Sequence, residues 1–122
     1  KMKGVSGVVI DGACRDVDDY VDIQFPVYAR GSVTATARGR IMEEATNVMI
    51  QFGGVQVRPG DIIVADRSGV VVIPQEKLEE TIDKAEEIKE KEERMLKEIL
   101  AGKSILEVDS KFRYEEMLKD EE

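Results

Sequence analysis

Two adjacent side chains, Arg15 and Asp16, offer the most specific chemistry in this sequence. They follow an apolar run, residues 8–10, and an Asp-Gly pair, Asp11 and Gly12. An Arg guanidinium binds a carboxylate through a planar fork, and an Asp carboxylate supplies oxygen ligands to a hard metal ion. Side by side, the two groups suit chemistry on small acids, and the apolar strand before them would hold both in place.

A second interpretation of Asp16 requires no ligand. An Asp that opens a helix, followed by Asp19 three residues later, is what helix capping selects by itself. On the residues alone, capping is the favoured interpretation. Cys14 also has a simple interpretation, as a small buried hydrophobe, because only Arg15 stands close enough in sequence to activate its thiol.

The elements that must position this pair follow from apolar periodicity and turn residues. We expect a buried strand over residues 5–10 that ends at Asp11-Gly12, a helix over residues 16–22, and a strand over residues 25–29. A long irregular loop should follow over residues 30–45. Its Arg30, Arg38 and Arg40 could guide anions toward the site, but a solvated loop is the favoured interpretation.

Further strands are expected over residues 47–52, 55–57, 62–65 and 70–73. Pro59 and Gly60 occupy the two central places of a type II turn, where Pro presets φ and Gly accepts a positive φ. The last two strands should form a hairpin across residues 66–69. Because both are continuous apolar runs, we expect them to be covered on both faces.

A charged helical tail follows Pro74. An amphipathic helix is predicted over residues 76–101, with Gly102 as its cap, and a further helix over residues 104–118. The composition change divides a sheet-rich core, residues 1–74, from the tail, residues 75–122, within one domain. The pattern alone therefore gives strands, a short helix, more strands and a long helix.

Composition narrows the possible partners. The 122 residues include 18 Lys and Arg against 26 Asp and Glu, a net charge of -8, which argues against direct nucleic-acid binding. Histidine is absent and Cys14 is the single cysteine, so a structural zinc site and a Cys-His pair are excluded. The absence of an internal disulfide and of a span of ~20 apolar residues predicts a cytoplasmic protein that does not enter a membrane.

Four segments resemble, in order, motifs of the RraA-like family, which includes the 4-hydroxy-4-methyl-2-oxoglutarate (HMG) aldolases and the regulators of ribonuclease activity. They are VVIDGACRDVDD at 8–19, FPVYARG at 25–31, FGGVQVRPGD at 52–61 and IVADRSGVVVIP at 63–74. The resemblance runs from about residue 5 to residue 105. It implies a mixed α/β swivelling domain of the β/β/α kind, with a mixed sheet core and a long C-terminal helix.

The resemblance also implies a function and reverses the preference for capping. In the aldolases, the Asp of the Arg-Asp pair binds a divalent metal, so Asp16 would hold Mg²⁺ or Mn²⁺, with Asp19 as a further acid. Arg15 would bind the carboxylate or keto oxygen of a short 2-keto acid. The implied reactions are retro-aldol cleavage of HMG to pyruvate and decarboxylation of oxaloacetate.

Other functions stay open. The chain could be a non-catalytic regulator that binds and inhibits a ribonuclease or another basic protein, or a domain of a larger fused enzyme that serves in assembly. Asp19 favours the lyase, because this acid is part of the aldolase pattern. The resemblance further implies a homo-oligomer, a trimer or a hexamer.

The sequence departs from the aldolase pattern at its N-terminal side. That pattern includes a Gly-rich substrate-binding loop and another acid roughly twenty residues before the Arg, whereas fourteen residues precede Arg15 here. We therefore expect the chain to be a fragment that binds substrate poorly on its own.

Overall fold

The computed structural model describes residues 3–113, which fall into two compact units that divide between Gln75 and Glu76. The first unit holds every strand and one helix, and the second holds two helices. The strands are β1 (Val8–Cys14), β2 (Val27–Ser32), β3 (Ile50–Phe52), β4 (Val55–Val57), β5 (Ile62–Ala65) and β6 (Val70–Ile73). The helices are α1 (Val17–Asp22), α2 (Leu78–Leu100) and α3 (Ile105–Phe112), and a 3₁₀ turn (Gln75–Lys77) precedes α2.

The first three elements form a short β-α-β unit. β1 and β2 pair in parallel, with α1 in the connection between them. The predicted end of the first strand at Asp11-Gly12 is wrong, because β1 continues to Cys14. Pairing is interrupted between Ile10 and Ala13 and then resumes, so Asp11 and Gly12 form a bulge inside the strand.

β2 also lies later in the chain than predicted, since it extends to Ser32. The predicted loop over residues 30–45 therefore begins only after Ser32, and Arg30 belongs to the strand. The later part of that loop, residues 33–45, contains no helix or strand, as expected.

Two antiparallel hairpins complete the first unit, β3–β4 and β5–β6. The predicted bounds of β4, β5 and β6 are confirmed, whereas β3 is shorter than expected. Gly60 has a φ of 95° and the Asp61 N–H donates to the Arg58 carbonyl at 3.1 Å, which confirms the type II turn. The Tyr28 hydroxyl donates to the Ala65 carbonyl at 2.8 Å and so links β2 to β5.

Apolar side chains from all three strand pairs line an open groove of about 560 Å³. Among residues 3–75, Ile73 alone is buried, at 9% exposure. The expectation that β5 and β6 are covered on both faces is wrong: Val64 and Val71 are more than half exposed. A continuous apolar run is buried on both faces only where a further layer covers each face of the sheet. Here each sheet has two strands, and one of its faces lines the groove.

In the second unit, α2 ends in a Schellman motif. The Gly102 N–H donates to the Ile99 carbonyl at 2.9 Å and the Lys103 N–H to the Glu98 carbonyl at 3.2 Å, so the predicted cap at Gly102 is confirmed. Helix α3 packs on α2 through Val108, which is 1% exposed. The part of the predicted final helix after residue 113 lies outside the described residues.

Ser104 starts α3 with a capping box. Its hydroxyl accepts from the Glu107 N–H, and the Glu107 carboxylate accepts from the Ser104 N–H, each at 3.2 Å. Two N–H groups that would otherwise lack helix partners are thereby bonded.

The mixed α/β class with a long C-terminal helix is confirmed. The division predicted at residue 74 lies one residue from the boundary between the two units, and the single-domain interpretation stays a prediction. Across residues 3–113, no helix combines the length and the apolar character needed to cross a lipid bilayer.

The capping box gives a first testable prediction. Ser104→Ala should lower the stability of α3 by about 1 kcal/mol, because the Glu107 N–H loses its acceptor. Hydrogen exchange of the α3 amides should then be roughly fivefold faster. Ser110→Ala in the same helix is the matched control. It should change the stability of α3 by less than about half as much as Ser104→Ala does. Equal rates in the two variants would contradict the capping account.

Candidate active site

Arg15 and Asp16, the predicted site residues, lie at the carboxyl ends of the parallel strands. β1 ends at Cys14, directly before the pair, and β2 ends at Ser32, its register partner. A cavity of about 620 Å³ lies here, lined by Arg15, Asp16 and Val17 together with residues 32–34. Ligands bind at this end of parallel strands in open α/β sheets, so the location suits a small-molecule site.

Asp16 does not cap the helix. It stands at the N-cap position of α1, but its side chain accepts no hydrogen bond from the helix backbone. Its backbone is left-handed, with φ 60° and ψ 43°, whereas a capping residue usually adopts the β region. The capping interpretation is therefore wrong: the residue has the position of a cap, but its carboxylate makes no hydrogen bond to the helix backbone.

The Asp16 carboxylate instead pairs with the neighbouring guanidinium. Arg15 Nε lies 3.0 Å from both Oδ1 and Oδ2 of Asp16. The two side chains are 48% and 53% exposed, and an ion pair this exposed adds little to stability. Both residues line the cavity, and Arg15 makes no other hydrogen bond within residues 3–113, so its two Nη groups can bind a ligand.

Cys14 and Tyr20 fix α1 to the end of β1. The Tyr20 hydroxyl and Cys14 Sγ are 2.8 Å apart, and the Cys14 thiol donates to the Gly31 carbonyl at 3.4 Å. The hydrogen bond to Cys14 raises the pKa of Tyr20 to about 12. Arg15 and Asp16 lie between these two anchors, so their backbone is constrained on both sides. Cys14 is half-buried, so it is less enclosed than the buried hydrophobe expected from the sequence.

Asp19, the predicted second metal ligand, is an exposed residue in the first turn of α1. No group of three or more Asp, Glu, Cys or His residues within 3–113 could enclose a metal ion. The carboxylates of Asp16 and Asp19 suit Mg²⁺ or Mn²⁺ held by one or two carboxylates with water in the remaining positions, which is how Mg²⁺ usually binds.

One important residue was missed from sequence. Asp11, expected in a turn, accepts from the Arg30 guanidinium through Oδ1 and from the Gly53 N–H through Oδ2 at 2.8 Å. The hydrogen bond from Arg30, followed by that from Gly53, lowers the pKa of Asp11 below its ordinary value. Arg30 belongs to β2, and its side chain binds Asp11 of β1. Arg38 and Arg40 are exposed in the loop that follows β2.

No sequence signal identifies this interaction without the strand register. Asp11 and Arg30 are 19 residues apart, and Asp11 and Gly53 are 42 residues apart. Only the parallel pairing of β1 with β2, which contains the bulge, places the carboxylate between them.

Known proteins are similar to this chain in sequence and in fold. A family model described as RraA-like, Aldolase/RraA, matches residues 1–72. An uncharacterized protein of Methanocaldococcus jannaschii is 46% identical over 108 residues, which cover 88% of this chain and 51% of that protein. A Halalkalibacterium halodurans protein named "Putative 4-hydroxy-4-methyl-2-oxoglutarate aldolase" is 41% identical over 85 residues, 70% of this chain and 40% of its own length.

The fold has a solved counterpart. An uncharacterized protein from Pseudomonas syringae pv. tomato strain DC3000 matches with a TM-score of 0.82 at 32% identity, over 86% of this chain and 52% of that one. The chain therefore spans about half the length of the relatives and structures that it matches.

The Asp11 contacts predict an acid-dependent loss of stability. Because the fold lowers the pKa of Asp11, its contribution is present above the ordinary value of 3.8 and is lost as the pH falls through the folded-state pKa. Asp11→Asn should lower the melting temperature at pH 7, and the difference from the wild type should shrink below pH 3.8. Asp22→Asn, an exposed acid at the end of α1, is the control and should have little effect at pH 7. A constant difference across this pH range would contradict the account.

The anchor between Tyr20 and Cys14 gives a prediction at alkaline pH. The fold favours the neutral phenol, so this contribution is present below pH 10.0 and is lost as the pH rises through about 12. The phenolate absorbance that Tyr20→Phe removes should titrate near pH 12 in the wild type. In Cys14→Ala the pKa of Tyr20 should move toward 10.0. An unchanged titration in Cys14→Ala would refute the link.

Proposed function

Because the chain belongs to the RraA-like (Aldolase/RraA) family, we propose that the protein is a divalent-metal-dependent lyase acting on short 2-keto acids. The reactions are the retro-aldol cleavage of HMG to two pyruvates and the decarboxylation of oxaloacetate to pyruvate and carbon dioxide. Relatives named as HMG aldolases support the lyase class. The activity is proposed for the complete protein, since this chain spans about half the length of its relatives.

The observation that carries the proposal is the state of Asp16. Its carboxylate is not used in capping, faces a cavity at the carboxyl ends of parallel strands, and stands on a left-handed backbone. Asp is among the few non-glycine residues that adopt this region readily, and left-handed residues are found at functional sites. A residue that only caps a helix usually adopts the β region instead.

Asp16, which lines the cavity, would hold Mg²⁺ or Mn²⁺, with Asp19 as a second acid one helical turn further on, outside the cavity lining. When bound, the ion supplies a Lewis acid for the 2-keto oxygen of the substrate. Asp16 carries this role first, because it lines the cavity directly. The side chain of Arg15, paired with it at 3.0 Å, limits the directions from which the carboxylate can be approached.

Arg15 would bind the substrate through its Nη groups. In both reactions the bond between C3 and C4 breaks, and its electron pair passes to C3 as a pyruvate enolate that a proton then converts to pyruvate. For HMG, the C4 hydroxyl loses its proton and becomes the keto group of the second pyruvate. The guanidinium places fixed positive charge where the enolate charge develops. Since the sequence has no His, the base for the hydroxyl proton must come from a carboxylate or from water.

A non-catalytic alternative has one observation in its favour, the net charge of -8, which suits binding to a basic protein such as a ribonuclease. Binding of that kind would weaken with ionic strength and would require neither Asp16 nor a metal. The homo-oligomer, trimer or hexamer, stays a prediction from the family resemblance.

The lyase proposal predicts strict metal dependence. The complete protein should release pyruvate from HMG or oxaloacetate with Mg²⁺ or Mn²⁺ and lose this activity in EDTA. Asp16→Asn keeps a residue that tolerates a left-handed backbone but removes the charge, so kcat/KM should fall at least about 100-fold. Pyruvate release is followed in a coupled assay, with the metal concentration varied.

Asp18→Asn is the matched control, because Asp18 lies in the same helical turn but does not belong to the proposed metal-binding pair, Asp16 and Asp19. It should retain wild-type activity, whereas Asp19→Asn should raise the metal concentration needed for half-maximal activity. Activity that survives EDTA, or that is equal in Asp16→Asn and Asp18→Asn, would refute the proposed function.

A further inference from the structure

Helix α1 carries Asp19, the second acid of the proposed metal pair, yet the helix has little stability of its own. It has six residues, no side-chain cap at its start and no basic residue in its last turn. Isolated helices of fewer than about 12 residues are marginal in water, so α1 depends on contacts with the rest of the fold for its position. Those contacts therefore decide where Asp19 stands relative to Asp16.

Tyr20 supplies the side-chain contact that holds α1. It is the one half-buried residue of this helix, and the other five are exposed. Within residues 3–113, its hydroxyl makes the only side-chain hydrogen bond of α1, to Cys14 Sγ at 2.8 Å. Its carbonyl accepts from the Phe25 N–H at 2.8 Å, where the chain turns back toward β2. Tyr20 thus holds the helix through both its side chain and its backbone.

Cys14 takes part in this bond from a fixed position. It is the last residue of β1, its register partner is Ser32, and its carbonyl accepts from the Val33 N–H at 2.8 Å. Its thiol donates to the Gly31 carbonyl at 3.4 Å. Because a thiol has one proton, Sγ then accepts from the Tyr20 hydroxyl. The bond therefore connects α1 to the paired ends of both strands.

The same bond closes a short loop of chain around the site. Cys14 and Tyr20 are six residues apart. Between them lie Arg15 and the two acids, Asp16 and Asp19. Closing a loop restricts every residue inside it. Neither Cys14 nor Tyr20 lines the cavity, so their bond acts on the site through the backbone and not by contact with a ligand.

We propose that Tyr20 and Cys14 are positioning residues that set the affinity of the site for its divalent cation. This inference rests on the proposed function and concerns the regulation of affinity at the same site. The hydrogen bond holds α1 against the end of β1 and keeps Asp16 and Asp19 in one arrangement before the ion binds. Groups that are already arranged lose less freedom on binding, so the ion is bound more tightly.

The test titrates the complete protein with Mn²⁺ alone and follows the free ion by electron paramagnetic resonance. Tyr20→Phe keeps the ring and removes the hydroxyl, so the Kd for Mn²⁺ should rise about fivefold, the usual effect of losing one hydrogen bond. Cys14→Ala should have a similar effect. The double variant should bind no more weakly than either single variant, because both remove the same bond. Cys14→Ser keeps an acceptor for the hydroxyl and should restore most of the affinity.

The positioning role also predicts a separation of binding from turnover. At saturating Mn²⁺, kcat for pyruvate release from oxaloacetate should change less than about twofold in Tyr20→Phe, because the hydroxyl touches neither the metal nor the substrate. A large loss of kcat under these conditions would overturn the proposal.

Tyr28→Phe is the matched control. The Tyr28 hydroxyl also donates one hydrogen bond of 2.8 Å, to the Ala65 carbonyl, but Tyr28 does not line the cavity of Arg15 and Asp16. This variant should bind Mn²⁺ with wild-type affinity. Wild-type affinity in Tyr20→Phe, or an equal loss in Tyr28→Phe, would overturn the positioning role and leave the metal site intact. A wild type that binds no Mn²⁺ would refute the proposed function, and this inference with it.

Discussion

The site depends on the parallel pairing of β1 with β2, which the Asp11 carboxylate bridges. This carboxylate lies in the bulge of β1 and binds both Arg30 of β2 and the Gly53 N–H at the turn between β3 and β4. One side chain thereby connects three backbone segments that are distant in sequence. The backbone pairing of β1 with β2, which these contacts bridge, ends both strands at the same edge, and the residues that follow them line one cavity. The chemistry proposed for Arg15 and Asp16 depends on that register.

The conformation at Asp16 is maintained by its surroundings. Asp tolerates the left-handed region better than most residues, but an exposed ion pair contributes little, so the Arg15 contact alone does not hold this geometry. The bond between Tyr20 and Cys14 after the residue and the strand pairing before it supply the constraint. Such an arrangement places a carboxylate and a guanidinium in fixed positions while leaving both accessible to a ligand. This is what binding and activation of a small acid require.

Local patterns predicted what depends on local residues. The type II turn at Pro59-Gly60, the hairpin of β5 and β6, and the cap at Gly102 follow from turn and helix-end chemistry, and all are confirmed. The family resemblance drawn from four motifs is also confirmed. The bulge at Asp11-Gly12 was mistaken for a turn, because an Asp-Gly pair is typical of turns and only pairing with a distant strand reveals otherwise. For the same reason the role of Asp11, the exposure of β5 and β6, and the backbone of Asp16 could not be derived from sequence.

The most direct test of the account is whether the Asp16 carboxylate binds a divalent cation. Titration of the complete protein with Mn²⁺, followed by electron paramagnetic resonance of the free ion, measures binding without any assay of turnover. We predict that the wild type and Asp18→Asn bind Mn²⁺ with the same affinity, that Asp16→Asn loses this site, and that added pyruvate tightens Mn²⁺ binding only where Asp16 is present. Equal Mn²⁺ binding by Asp16→Asn and the wild type would contradict the account.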